Sequence, residues 1–211
     1  ALRIEARWFT NIVMNPSSSA MIRSLFISKG ALEKGAVRPK EVPDQRVKTV
    51  GILGAGMMGA GIALVAAQAG INVILVDRDQ TAADKGKSYS EKYLTDGINR
   101  GKISDKIKEE TLTRILATND YTNLSEADLV IEAVFEDAKV KSDVTKAVVE
   151  VIPKDCIFAS NTSTLPISEL ANASKYPENY IGIHFFSPVE KMLLVEIIKG
   201  KKTEARAVAK A

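Results

Sequence analysis

Val50-Gly51-Ile52-Leu53-Gly54-Ala55-Gly56-Met57-Met58-Gly59 is the stretch whose reading decides the fold: an apolar run entering a G-x-G-x-x-G turn. Ala60 to Ala69 then reads as a small-residue helix, and a second apolar run, Val73-Ile74-Leu75-Val76, ends at Asp77. Each part has a physical task in holding a dinucleotide. Gly54 permits the tight turn, Gly56 lets backbone approach a pyrophosphate, and Gly59 lets the helix lie close to the strand. The helix N-terminus turns unpaired N–H groups and the positive end of its dipole toward the phosphates. Asp77 stands 23 residues after Gly54, where the acid that bonds the adenine-ribose hydroxyls falls.

Asp77 also selects between cofactors. A carboxylate about 4 Å from the 2′-phosphate of NADP costs on the order of 4 kcal/mol at an effective dielectric of about 20, before screening. NAD is therefore the expected cofactor, although Arg78 follows at once and is able in principle to receive a phosphate.

Length and composition bound what surrounds this unit. A chain of 211 residues, 45% of them hydrophobic, holds one good-sized domain plus an appendage. The net charge of +3 gives no broad basic surface for nucleic acid. Cys156 is the only cysteine, so no intramolecular disulfide forms, and an intracellular, reducing compartment is expected: the cytoplasm of a bacterium, the peroxisome or mitochondrion of a eukaryote. No apolar run has membrane-spanning length; Ala20 to Ser28 is short and carries Arg23. The single histidine, His184, builds no histidine-rich metal site, and no metal is expected. The chain opens at Ala1 rather than Met, and Thr203 to Ala211 reads as a helix cut short, so a segment of a longer protein is expected.

Residues 1 to 36 read as amphipathic helix, interrupted at Asn15-Pro16-Ser17-Ser18-Ser19, with Ser18 or Ser19 expected to cap the second piece. Val37 to Asp44 is a proline-punctuated linker, and the nucleotide domain is expected from Val47. Strands near 49–53, 72–76, 115–118, 128–132, 156–160 and 180–184, with one more at 193–198, alternate with helices. That is the pattern of a Rossmann-type, doubly wound, mostly parallel α/β sheet. The charged stretch from Thr81 to Glu110, broken at Gly97 and Gly101, is too long for a simple crossover and predicts a protruding helical hairpin. A further helix is expected over Asp137 to Val151.

In an open parallel sheet, ligands bind outside the carboxyl ends of the strands. Three segments bring polar groups there: Glu132-Ala133-Val134-Phe135-Glu136, Ser160-Asn161-Thr162-Ser163-Thr164 and His184-Phe185-Phe186-Ser187-Pro188-Val189. Taken in order with Lys141 and Leu194-Val195-Glu196-Ile197-Ile198-Lys199-Gly200, they resemble the cofactor domain of the 3-hydroxyacyl-CoA dehydrogenase family from Val47 to Gly200. The segment before it resembles, more loosely, the helical linker that joins a hydratase domain to the dehydrogenase in multifunctional fatty-acid β-oxidation enzymes.

The resemblance implies roles. His184 is the base that takes the 3-hydroxyl proton while hydride leaves C3, a task imidazole suits near neutral pH. Glu196 orients its ring, and Ser163 bonds the reacting oxygen. Gly54, Gly56, Met58, Gly59, Asp77, Val134, Glu136, Lys141 and Ser187 fall on cofactor contacts, with Lys141 expected to pair with Glu136. Arg100 and Lys102, at the hairpin turn, are candidates for CoA phosphates. Many relatives carry Asn where this chain has Ser187. The implied partners are an acyl-CoA substrate, an upstream hydratase domain and a downstream helical domain that supplies subunit contacts and part of the acyl pocket, with oligomerisation in the parent; neither nucleic acid nor a membrane span is implied. Without that helical domain, poor catalysis is expected. Two other readings stay open at this point: a Rossmann dehydrogenase for a non-CoA hydroxy acid or sugar acid, and a nucleotide-binding or assembly module without chemistry of its own.

Overall fold

The structure, a computed structural model, describes residues 1–211. These form two compact units, Ala1–Lys40 and Glu41–Ala211. The smaller consists of α1 (Leu2–Val13), α2 (Pro16–Ile22), a π-helical stretch (Arg23–Ser28) and α3 (Lys29–Glu33). The cap of α2 differs from expectation. Asn15, not Ser18 or Ser19, accepts a hydrogen bond from the Ser17 N–H at 2.9 Å. Pro16 explains the choice: its fixed φ suits the first helical position, so the helix starts there and the residue before it becomes the cap. Ser18 instead donates back to the Ile12 carbonyl.

The larger unit is built on β1 (Thr49–Leu53), α4 (Met57–Gln68), β2 (Asn72–Val76), α5 (Gln80–Asn99), α6 (Asp105–Thr113), β3 (Ile115–Thr118), β4 (Leu129–Glu132), α7 (Ala138–Val148), β5 (Ile157–Ser160), α8 (Ile167–Leu170), β6 (Tyr180–Phe185), β7 (Val195–Lys199) and α9 (Ala205–Lys210). The strands form one sheet in the order β3-β2-β1-β4-β5-β6-β7, parallel except for β7. The winding reverses between β1 and β4, and the Gly-rich turn follows β1 at that switch point.

The strands read as near-continuous apolar runs because both faces are covered. Ile52, Leu75, Ile131 and Ile183 pack with Ile62 and Ala63 of α4 on one face. Leu53, Val130, Phe158 and Tyr180 pack with Val148 of α7 and Ile167 of α8 on the other, where the Phe158 and Tyr180 rings stack at 5.2 Å. Each fully buried aliphatic side chain contributes about 1.5–3 kcal/mol. Helix α4 is apolar on all sides, as suits a helix with seven of its twelve residues buried.

The charged stretch is the expected hairpin, with α5 and α6 joined through Gly101 at φ +67°. It corrects the sequence reading in one respect. The helix runs through Gly97 and stops at Asn99. A Cβ on Gly97 would stand 2.4 Å from Ile103 Cδ1, so this glycine serves the close return of the chain rather than a break. Helix α7 also ends earlier than expected, at Val148. No helix among the described residues is long and apolar enough to cross a membrane.

Cys156, just before β5, is buried, and that burial pushes its thiol up to about 12. The native protein is therefore expected to leave thiol-specific reagents unreacted until denaturant exposes the sheet. Stoichiometric labelling in buffer at the rate of a free peptide thiol would show that β5 is not in the core.

Candidate functional site

Strand alternation sets the site's first property. Val130, Phe158 and Tyr180 face α7, so Glu132, Ser160 and His184, each an even step along its strand, share that face at the carboxyl end of the sheet. Glu132 stands opposite Ser160 in register, and His184 opposite Glu196.

The dinucleotide turn is built as its residue types require. Gly54 has φ +93°, and a Cβ there would meet the Ala133 carbonyl oxygen at 2.7 Å. A Cβ on Gly59 would lie 1.8 Å from the Gly54 carbonyl oxygen, so only glycine lets α4 begin so close to β1. Gly56 differs: nothing lies within 4 Å of its Cβ position. As the N-cap of α4 it gives the first-turn N–H groups no side-chain acceptor. An uncapped helix start with room beside Gly56 suits a pyrophosphate.

Asp77 adjoins this turn. Its Oδ2 accepts from the Ala55 N–H at 2.6 Å and its Oδ1 from the Arg78 N–H at 2.7 Å, which fixes the carboxylate against the turn. Two cavities meet at Gly56, Met57, Asp77 and Arg78. One, of about 810 Å³, runs toward Thr81, Lys85 and Tyr89 of α5; the other, of about 570 Å³, runs past Met58 to Tyr121, Val134 and Val144.

A second cluster lies under the β4 and β5 ends. Lys141 is 1% exposed, and its Nζ sits 2.7 Å from Glu132 Oε1 and 3.1 Å from Glu136 Oε2. The expected pairing with Glu136 is present, but the shorter contact is to Glu132, which sequence reading gave no role. Glu132 is 0% exposed and also accepts from the Val134 N–H and the Ser160 hydroxyl. Lys141 thus lies buried behind the partly exposed Glu136. Glu136 in turn accepts from the Thr162 hydroxyl at 2.5 Å and from the N–H groups of Ser163 and Thr164 at 3.1 and 3.4 Å. Burial by itself pushes this carboxyl up; the Thr162 and Lys141 hydrogen bonds and the Lys141 charge outweigh it and hold Glu136 below its ordinary value. A depressed carboxyl stabilises the fold above its unfolded value and loses that contribution as pH falls through the folded one. The loop bearing Ser163 is therefore clamped at neutral pH and released only in acid.

His184 Nδ1 lies 2.8 Å from Glu196 Oε2, and its ring meets Phe186 edge-on at 4.6 Å. With Nδ1–H donating to the carboxylate, Nε2 carries the lone pair that accepts a proton. Asn161 Oδ1 accepts from the Phe185 N–H at 2.8 Å and so ties the β5 loop to the strand holding His184. Ser187 is exposed and touches Met57 Sδ at 3.8 Å. Arg100 and Lys102 lie exposed at the hairpin turn and line neither cavity at the Gly-rich turn. Sequence reading left Glu132, Asn161 and Tyr121 without roles. The first two were visible only as members of polar strand-end segments, and Tyr121 carried no signal.

The geometry has a counterpart in known proteins. The sequence profile of the family described as "3-hydroxyacyl-CoA dehydrogenase, NAD binding domain" matches residues 49–211. The chain belongs to this family. Its relatives include the fatty acid oxidation complex subunit alpha of Psychrobacter cryohalolentis, 40% identical over 209 residues, and that of Shewanella halifaxensis, 39% identical over 208. Each alignment covers 99% of this chain and 29% of the relative, so the chain spans under a third of the length of the curated relatives it matches. Among solved structures, the (S)-3-hydroxybutyryl-CoA dehydrogenase of Ralstonia eutropha superposes with a TM-score of 0.75 at 38% identity, covering 77% of this chain and 58% of that one. The dehydrogenase part of a Caenorhabditis elegans multifunctional enzyme ("C.elegans") gives 0.70 at 34%, covering 78% and 38%. NAD is the family's cofactor, and the fold is that of a Rossmann dehydrogenase.

Proposed function

We propose that this chain is the cofactor-binding part of an enzyme that oxidises L-3-hydroxyacyl-CoA to 3-ketoacyl-CoA in fatty-acid β-oxidation. The observation that carries the reading is the His184–Glu196 pair at 2.8 Å, at the same sheet edge as the uncapped helix start at Gly56 and Asp77. NAD, when bound, supplies the acceptor for the hydride leaving C3. His184 Nε2 takes the 3-hydroxyl proton, and Glu196 holds the ring and stabilises the imidazolium. Ser163 bonds the reacting oxygen from a loop that Glu136 clamps at its backbone. Gly54, Gly56, Gly59 and Met58 hold the pyrophosphate side, Asp77 the ribose, and Val134, Glu136 and Ser187 the nicotinamide side, with Lys141 behind Glu136.

On this reading residues 1–46 link to an upstream hydratase domain, 47–200 bind NAD, and 201–211 begin a helical region that completes the acyl pocket and the subunit contacts. Arg100 and Lys102 meet CoA phosphates. The work is done inside the cell, in a reducing compartment.

The test on this chain is a fluorescence titration with NADH and NADPH. NADH is expected to bind at least about tenfold more tightly, because Asp77 would face the 2′-phosphate of NADPH at short range. Equal affinities, or tighter NADPH, would reject the role of Asp77. A turnover series with acyl-CoA and non-CoA hydroxy acids on the intact polypeptide tests the substrate class.

A further inference from the structure

The β5–β6 ladder stops short of the groups it serves. Its register ends where Ser160 pairs with Gly182, and both Ser163 and His184 lie beyond that point. On its other side β6 is still held, since His184 and Phe185 pair with Glu196 and Val195 of β7. On the β5 side the Asn161 side chain takes over from the backbone. Its Oδ1 accepts from the Phe185 N–H at 2.8 Å, while its own backbone N–H donates to the Glu132 carbonyl at 2.7 Å. Asn161 therefore bridges the ends of β4 and β6. A backbone N–H only donates, so the side chain must present an acceptor oxygen there.

The bridge lies between two groups that act on one atom in the proposed reaction. Ser163 follows Asn161 closely in the β5 loop, and His184 immediately precedes Phe185. Ser163 and His184 Nε2 both meet the substrate's 3-oxygen, so the two backbones must keep a fixed separation. A displacement of about 1 Å costs on the order of a hundredfold in rate. The Glu136 clamp does not supply this, because it ties Thr162, Ser163 and Thr164 to the β4 side and does not reach β6.

We infer that Asn161 is a positioning residue, which sets the spacing of Ser163 and His184 through its Oδ1 and the Phe185 N–H. The inference rests on the dehydrogenase reading. Two measurements test it. In this chain, amide hydrogen exchange by NMR should find the Phe185 N–H protected in wild type and in Asn161→Asp, which keeps an acceptor oxygen. In Asn161→Ala it should exchange at least about tenfold faster, as expected for a local opening. In the intact polypeptide, Asn161→Ala is expected to lower kcat by about ten- to a hundredfold, with the KM for 3-hydroxyacyl-CoA and the affinity for NADH within about threefold. Asn161→Asp should recover most of that rate. Asn161→Ser, a smaller loss of packing whose hydroxyl stops one bond short of the amide oxygen, should fall with alanine. Rapid exchange of Phe185 in wild type, an aspartate variant as slow as alanine, or a loss confined to KM or to NADH affinity would each overturn the positioning role. A wild-type polypeptide that turns over no 3-hydroxyacyl-CoA would instead overturn the dehydrogenase reading, and this inference with it.

Discussion

Replacing His184 with Gln is expected to lower kcat by at least about a hundredfold in the protein that turns over 3-hydroxyacyl-CoA, the lower bound for loss of a general base. The affinity for NADH should remain within about twofold, because the ring acts on the substrate proton and not on the dinucleotide. Glutamine keeps a side chain able to donate to Glu196 Oε2, which now accepts from Nδ1 at 2.8 Å. It has no basic nitrogen where Nε2 stands, so positioning survives while proton acceptance does not. Steady-state kinetics with a parallel NADH titration separate the two. A variant within a few-fold of wild type in kcat would remove His184 from the chemistry; a collapse of NADH binding would make its role structural.

The second large effect belongs to Lys141. Lys141→Met should destabilise the fold by about 3–5 kcal/mol, the usual result of removing one member of a buried ion pair and leaving the other unpaired. For a domain of this size that lowers Tm by about 10 °C. The loss arises because Glu132, at 0% exposure, keeps its charge with only the Val134 N–H and the Ser160 hydroxyl as donors. The double variant Lys141→Met, Glu132→Leu should recover much of it, since the stranded charge is gone. NADH affinity should fall in both, because Glu136 loses the ammonium 3.1 Å away that holds it in place. Urea unfolding of wild type, Lys141→Met, Glu132→Leu and the double variant measures the cycle. A single Lys141→Met variant as stable as wild type would mean that Glu132 finds water, and that the cluster is not sealed.

How much of this was legible in the chain depends on whether the controlling interaction is local. Strands such as 49–53 and 72–76 were readable because parallel strands covered on both faces must be apolar throughout. The need for glycine at 54 and 59 followed from backbone sterics, and the place of Asp77 beside the turn from a fixed spacing. The hairpin was readable as charge and length, but Gly97 was not: its purpose is set by Ile103 folding back over it. Asn15 was missed as a cap because the serines that follow are equally good candidates, and only the start imposed by Pro16 decides between them. Glu132 was hidden for a deeper reason. Its partners lie 9 and 28 residues away, and nothing in sequence marks a carboxylate as buried when its charge is balanced from another element. Glu196 as the partner of His184 came from family resemblance; the physical reason, an antiparallel register across β6 and β7, exists only once the sheet is assembled.

That single antiparallel pairing has a consequence for how such a domain diversifies. His184 and Glu196 are held by a ladder of five cross-strand partners, from Ile181 with Lys199 to Phe185 with Val195. The chain between them, Phe186 to Leu194, takes no part in that ladder and carries exposed Met192, Leu193 and Leu194. Acid–base geometry and rim composition are thus written in separate stretches of the gene. Val189 is held in the core against Gly61 of α4, so the variable part of the rim is Lys191 to Leu194, where insertions and substitutions leave the His184–Glu196 register alone and a directed-evolution library has its natural starting place.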